Sequence, residues 1–387
     1  MTTVGKEEAA TQASAVAASL AVGTLGPAVL LMLPGLLAAL SERYAFSERQ
    51  LGILSFADLG GLTLGSALSA RLLPAMGVVR GTQLGLLGAV VANGASATVA
   101  AFAPLLILRV GAGLGGGLLV GSCYMVLGRL KHVDRTFGIY LLCQGVFGAV
   151  ALKVMPALTQ ALGIAGIFGA LALLYAAALA LPRFLPASEG IGQHSSERTG
   201  FGSAAWSGLA AVLIFFVAQG AVWAYLELMG QRGGLDASGV ATAVALSTLV
   251  GLSGPLTAAL LGSRIGKVFP LLSALALALI SLALLNSTLN VPRFALAACL
   301  FNVAWNLSIP YQMAALAGVD ASGKVVAWAA SASLAGLAVG PPIAGAVLAS
   351  RGTSGVLLTS ATLYVVSVIA LLPALTGPAA RRSPHST

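Results

Sequence analysis

Residues 104–128, PLLILRVGAGLGGGLLVGSCYMVLG, hold a single charge, Arg109, in twenty-five positions. A run of about 18 or more apolar residues is long enough to cross the hydrocarbon of a bilayer as a helix. Backbone polar groups cannot stay unpaired there, which excludes an open strand. A membrane barrel would need alternating strands of about ten residues, and none is found. Working outward, the same texture recurs at 16–40, 49–70, 80–102, 137–160 and 163–182, and again at 206–229, 239–262, 268–288, 293–316, 324–348 and 355–373. Of 387 residues, 58% are hydrophobic and 8% are charged, against about 25% charged in an average soluble domain. An all-α membrane protein of about twelve spans is expected. The segment from Thr11 to Leu40 is too long for a signal-peptide core and is taken as the first span.

The longest polar break, Pro182 to Ser203, contains Arg183, Glu189, His194, Glu197 and Arg198. It divides the chain into an N-terminal six-helix bundle (1–182), a linker (183–203) and a C-terminal six-helix bundle with its tail (204–387). The tail, with Arg381, Arg382 and Pro384, is expected to be disordered. Weak echoes link the halves: Leu68–Arg71 with Leu261–Arg264, Val133–Asp134 with Val319–Asp320, and Tyr175 with Tyr364, at offsets of 193, 186 and 189. Near-constant offsets of half a chain are what a parallel repeat leaves.

Placing both termini in the cytoplasm puts thirteen basic residues inside and five outside. These include Lys6, Arg71, Arg80, Arg129, Lys131, Arg264 and Lys267 inside, and Arg43, Arg232 and Arg351 outside. The asymmetry obeys the positive-inside rule, and an odd span count would scramble it. The formal charge of +9 thus reflects loops facing an anionic leaflet, and no nucleic-acid partner is needed. Cys123, Cys143 and Cys299 lie in apolar runs without metal or redox spacing, and His132, His194 and His385 lie in polar segments. No metal or cofactor is expected. No span holds a histidine and no nucleotide-binding loop occurs, which argues against an intramembrane enzyme or a pump. Arginine outnumbers lysine and alanine is abundant, pointing to a bacterial inner membrane as the location.

Twelve spans, a central loop and cytoplasmic termini resemble the major facilitator superfamily across nearly the whole chain. That family carries a loop signature after spans 2 and 8. Ser263-Arg264-Ile265-Gly266-Lys267 matches it, with serine replacing an aspartate, while the first copy keeps Arg71 with Ala70 in the aspartate position. Arg109-Val110-Gly111-Ala112-Gly113-Leu114-Gly115 resembles the family's Arg-x-x-x-Gly-x-Gly element, linked there to proton coupling. Gly340-Pro341-Pro342 in span 11 resembles a motif that antiporters of the family carry in span 5, where Lys153 stands here. The resemblance implies a monomeric carrier working by alternating access, with spans 1, 4, 7 and 10 lining its cavity.

Four ionisable residues fall within spans: Asp58, Arg109, Lys153 and Glu227. Each costs about 2.5–3.5 kcal/mol in hydrocarbon on the mildest scale, so each needs a wet cavity or a partner. Asp58 shares a helical face with Ser55, Gly61, Gly65 and Ser69. It reads equally as a proton carrier or as half of a static pair with Arg109 or Lys153. Arg109 keeps its charge and either binds a carboxylate or bonds a neighbouring helix. Lys153 meets an anionic substrate, pairs with Asp58, or snorkels outward. Glu227 is a second proton site or an interfacial residue, and it forms a stripe with Gln219 and Trp223. In span 10, Asn302, Trp305, Asn306 and Gln312 share one face, which lines the cavity or serves interhelical hydrogen bonds. With aromatics at only 6%, an aromatic cage for cations is not expected. The expected function is proton-coupled transport of a small organic, anionic solute. The alternative is a drug/proton antiporter exporting hydrophobic compounds.

Overall fold

A computed structural model of the chain describes residues 3–128, 130, 133–186, 201–261, 266–320 and 324–376. Most of the linker, the tail, Arg129, Lys131, and the Ser263, Arg264 and Ile265 positions of the second loop signature lie outside these residues. Helices run in the order α1 Thr3–Leu25, α2 Ala28–Tyr44, α3 Glu48–Met76, α4 Val78–Ser96, α5 Phe102–Leu127 and α6 Val133–Ala178. They continue as α7 Ser203–Arg232, α8 Ala237–Gly251, α9 Ser253–Leu261, α10 Val268–Leu285, α11 Val291–Ala317 and α12 Lys324–Thr376. Among the described residues there is no strand. Nine helical stretches there are long and apolar enough to cross a membrane.

Breaks in the helices follow local chemistry. Between α1 and α2 stands Gly26-Pro27; proline has no N–H to give and its ring clashes with the preceding turn. Two carbonyls in the last turn of α1 find hydroxyl donors elsewhere. Tyr175 donates to the Leu25 carbonyl at 2.8 Å and Tyr140 to that of Gly23 at 3.2 Å. The first expected span is therefore a pair of half-helices. Helices α6 and α12 each contain one left-handed glycine, Gly163 (φ 67°) and Gly352 (φ 67°), so each is two helices joined at a corner. Only glycine enters this region without a Cβ penalty. The two corners are 189 residues apart, the same offset as Tyr175 and Tyr364. All twelve expected segments overlap these helices or one side of a corner.

Helix starts carry their own signals. Ser47 and Gln50 bond reciprocally ahead of α3, with the Ser47 N–H donating to Gln50 Oε1 at 3.0 Å and the Gln50 N–H to Ser47 Oγ at 3.3 Å, a capping box. Asp236 accepts from the Gly239 N–H at 2.7 Å and Asn290 from the Arg293 N–H at 2.9 Å, each satisfying a donor at its helix start.

The chain divides into two compact units. The first holds residues 1–45 and 53–195; the second holds 46–52 and 196–387. In the first, α3 and α5 approach backbone to backbone. A methyl added at Gly61 would lie 2.6 Å from the Val110 carbonyl oxygen, and one at Gly113 would lie 2.8 Å from the Leu62 nitrogen. This is the small-residue packing that substitutes for the hydrophobic effect inside a bilayer. In the second, Gly220, Gly336 and Gly340 bring α7 against α12 in the same manner. Buried apolar side chains, among them Leu271, Leu307, Tyr311 and Leu371, pack together in one cluster of that unit.

Candidate functional site

In the first unit the structure brings Asp58 and Arg109 together. Their side chains come from α3 and α5, and the residues are 4% and 1% exposed. Arg109 Nη1 stands 3.8 Å from Asp58 Oδ1. The guanidinium is also held by neutral groups. Nη1 and Nη2 each donate to Asn93 Oδ1 at 3.2 Å. Nη2 further donates to Ser96 Oγ at 2.6 Å and to the Ala92 carbonyl at 3.4 Å. The Phe168 ring lies beneath it, 4.4 Å from the guanidinium carbon, within cation–π range. Asn93 and Ser96 are anchored in turn by donating to the Ala89 and Ala92 carbonyls of α4. The planar fork of arginine suits this many-sided grip in a way that a lysine would not.

Asp58 also borders a narrow void lined by Gly26, Pro27 and Tyr175, and a second lined by Leu33, Leu36 and Arg109. The carboxylate therefore sits beside the interruption in the first span. Discontinuous helices next to an ionisable group are where transporters place substrate or coupling-ion sites.

In the second unit, α7 presents Gln219, Trp223 and Glu227 at spacings of four. Trp223 and Trp305 meet edge to face with centroids 5.9 Å apart, and Phe301 and Phe216 flank Trp305 at 6.2 and 6.4 Å. Composition gave no hint of this cluster, because a percentage over the whole chain says nothing of which rings meet. The Tyr364 hydroxyl donates to Gln219 Oε1. Three buried polar atoms of this face have no hydrogen-bond partner: Gln219 Nε2, Trp305 Nε1 and Glu227 Oε1. Glu227 is 2% exposed and Gln219 1%. Glu227 is thus packed inside its unit, five residues before the end of α7.

The remaining site residues part company. Asn302 donates to Ser247 Oγ at 2.9 Å and to the Ala298 carbonyl at 3.3 Å. Asn306 donates to the Asn302 carbonyl at 2.9 Å, and a methyl added at Gly251 would lie 3.1 Å from its Nδ2. Asn302 thus bonds across to α8, while Asn306 bonds within its own helix beside Gly251. Gln312 is buried lower on α11 with Oε1 unpaired. Lys153 lies on an exposed part of α6, apart from the Asp58–Arg109 cluster. The sequence reading missed Asn93, Ser96 and Phe168. The signal for the first two was present: polar side chains three apart within an apolar helix require a partner.

The family model described as Major Facilitator Superfamily matches residues 13–320. No curated protein matches the chain by sequence. Among solved structures, the nucleoside transporter NupG is similar with a TM-score of 0.72 at 13% identity, over 94% of this chain and 98% of that one. The human organic anion transporter MFSD10 (TETRAN) is similar with a TM-score of 0.64 at 19% identity, over 93% and 99%. A bacterial homolog of the human lysosomal transporter Spinster, in an inward-facing and occupied conformation, gives a TM-score of 0.70 at 16% identity, over 93% and 95%. At such identities the likeness is one of fold. The chain is a multi-pass membrane transporter rather than an enzyme, and it belongs to the Major Facilitator Superfamily.

Proposed function

We propose that the protein is a proton-coupled carrier of a small organic solute, with Asp58 as the proton site. It would cross the bilayer twelve times in two pseudo-symmetric bundles and work by alternating access as a monomer. A bacterial inner membrane with both termini inside accords with the charge asymmetry of the loops. The observation that carries the reading is the shell around Arg109. A static ion pair would leave the arginine stranded when its partner is neutralised. Here Asn93 Oδ1, Ser96 Oγ, the Ala92 carbonyl and the Phe168 ring hold it without Asp58. Asp58 can then bind and release a proton while Arg109 stays compensated.

Gln219, Trp223 and Trp305 are the proposed solute-binding residues. An anionic solute would find Arg109 already committed within its own unit. Export of hydrophobic drugs in exchange for protons has no observation of its own in its favour. The test is uptake into proteoliposomes with an imposed pH gradient. Asp58→Asn is expected to abolish the gradient's effect on uptake while counterflow exchange persists. Uptake that follows the gradient equally in wild type and Asp58→Asn removes the proton role.

A further inference from the structure

Among the described residues of the second unit, the Glu227 carboxyl has no counter-charge. Among that unit's described residues, Glu227 is the one Asp, Glu, Lys or Arg that lies more than a helical turn from a helix end or corner. It forms no ion pair among the described residues, its Oε1 has no hydrogen-bond partner, and it is 2% exposed. Arg232, the nearest cation along α7, is taken by Glu48. A desolvated carboxylate needs either a counter-charge or hydrogen-bond donors. The neighbouring faces are aromatic. Trp223 lies one turn before Glu227, about 6 Å along the helix, and packs against Trp305. One turn before Trp223, Gln219 points two amide hydrogens that meet no acceptor.

From this arrangement we infer that the Trp223–Trp305 pair and Glu227 take an aromatic-bodied organic cation, with its protonated amine on the carboxylate. The inference rests on the solute-binding reading of this face and adds the charge class of the solute. A flat ring finds the Trp223 and Trp305 rings, an ammonium on a two-carbon arm spans the one turn to Glu227, and the tryptophan faces favour positive charge. A carbonyl or ether oxygen at the far end of the solute would receive the Gln219 amide hydrogens. The inference departs from the anionic solute expected from Arg109 and Lys153, since Arg109 is held by partners of its own.

Three probes of one shape separate the possibilities: phenethylamine, 2-phenylethanol and phenylacetate, which are cationic, neutral and anionic at neutral pH. Their binding to the purified full-length protein in detergent is measured by calorimetry. The cation is expected to bind at least about tenfold more tightly than the alcohol, a difference of about 1.4 kcal/mol, and the acid most weakly. Glu227→Gln is expected to erase the preference for the amine over the alcohol while the alcohol still binds. That retained binding also reports that the variant is folded. Trp305→Ala is expected to weaken the amine and the alcohol alike. Equal binding of the three probes, or a cation preference that survives Glu227→Gln, overturns the charge class but leaves the binding face standing if Trp305→Ala still weakens them. Binding unchanged in Trp305→Ala, or no binding of the amine to the wild type, overturns the inference and the solute-binding reading together. A carboxylate that serves only as a proton site would leave the amine-to-alcohol ratio the same in Glu227→Gln.

Discussion

Replacing Arg109 with methionine keeps an unbranched apolar stem, shorter than arginine's, and removes its charge and all its donors. Four hydrogen bonds disappear: two to Asn93 and one each to Ser96 and the Ala92 carbonyl. Interhelical hydrogen bonds inside a bilayer average about 0.6 kcal/mol each, so together they contribute roughly 2 kcal/mol. The larger loss is elsewhere. Asp58, 3.8 Å from the guanidinium and 4% exposed, is left as a buried carboxylate without its counter-charge. Breaking a buried pair from one side costs about 3–5 kcal/mol. The charge term exceeds the hydrogen-bond term, and the double variant Asp58→Asn with Arg109→Met is expected to recover most of it. Thermal unfolding of the detergent-solubilised protein, followed by size-exclusion fluorescence, supplies the comparison. The single variant should melt well below the double, although the double carries one more substitution. Acidification should narrow the gap, because it protonates the orphaned carboxylate and removes the penalty. A double variant as unstable as the sum of its two single changes would refute the argument. Asp58 and Arg109 would then be neighbours that do not share a charge balance.

Other outcomes follow from the same geometry. Asn302→Ala is expected to lower thermal stability by about 1 kcal/mol or less and to leave the Michaelis constant for solute unchanged, since Asn302 bonds Ser247. A rise in that constant without loss of stability would return it to the cavity. Gly61→Val drives a branched side chain into the Val110 carbonyl and is expected to cost at least about 1–3 kcal/mol, seen as a loss of monodisperse protein. Tyr175→Phe strips the Leu25 carbonyl of its donor at the α1–α2 break. A loss of about 1–3 kcal/mol is expected, and amide hydrogen exchange should quicken at residues 26–31.

Much of the site's composition was legible in the sequence, and much less of its pairing. Asp58, Arg109 and Glu227 announced themselves as charges where hydrocarbon tolerates few. Lys153 did so too, yet it lies on an exposed part of α6, a distinction that helical periodicity alone did not draw. The sequence places Asn302, Trp305, Asn306 and Gln312 on one helical face, about a third of the circumference. The structure splits that third, with the asparagines meeting α8 and the indole meeting α7. A helical wheel ranks directions around one axis and says nothing about which neighbour stands in each direction.

Hydropathy is a local property, since each span must cover its own backbone and supply its own apolar surface. The sequence by itself therefore determined that the chain threads a bilayer, where its helices run, and that half-chain echoes join its two parts. Pairing is a property of packing. Only the tertiary structure decided that Arg109 leans on Asn93, Ser96 and Phe168 as well as Asp58, and that Glu227, without a counter-charge among the described residues, lies one turn from a tryptophan packed on another. Those outcomes depend on glycine-lined seams bringing distant helices within hydrogen-bond reach, and the range of such a contact along the chain is set by the fold.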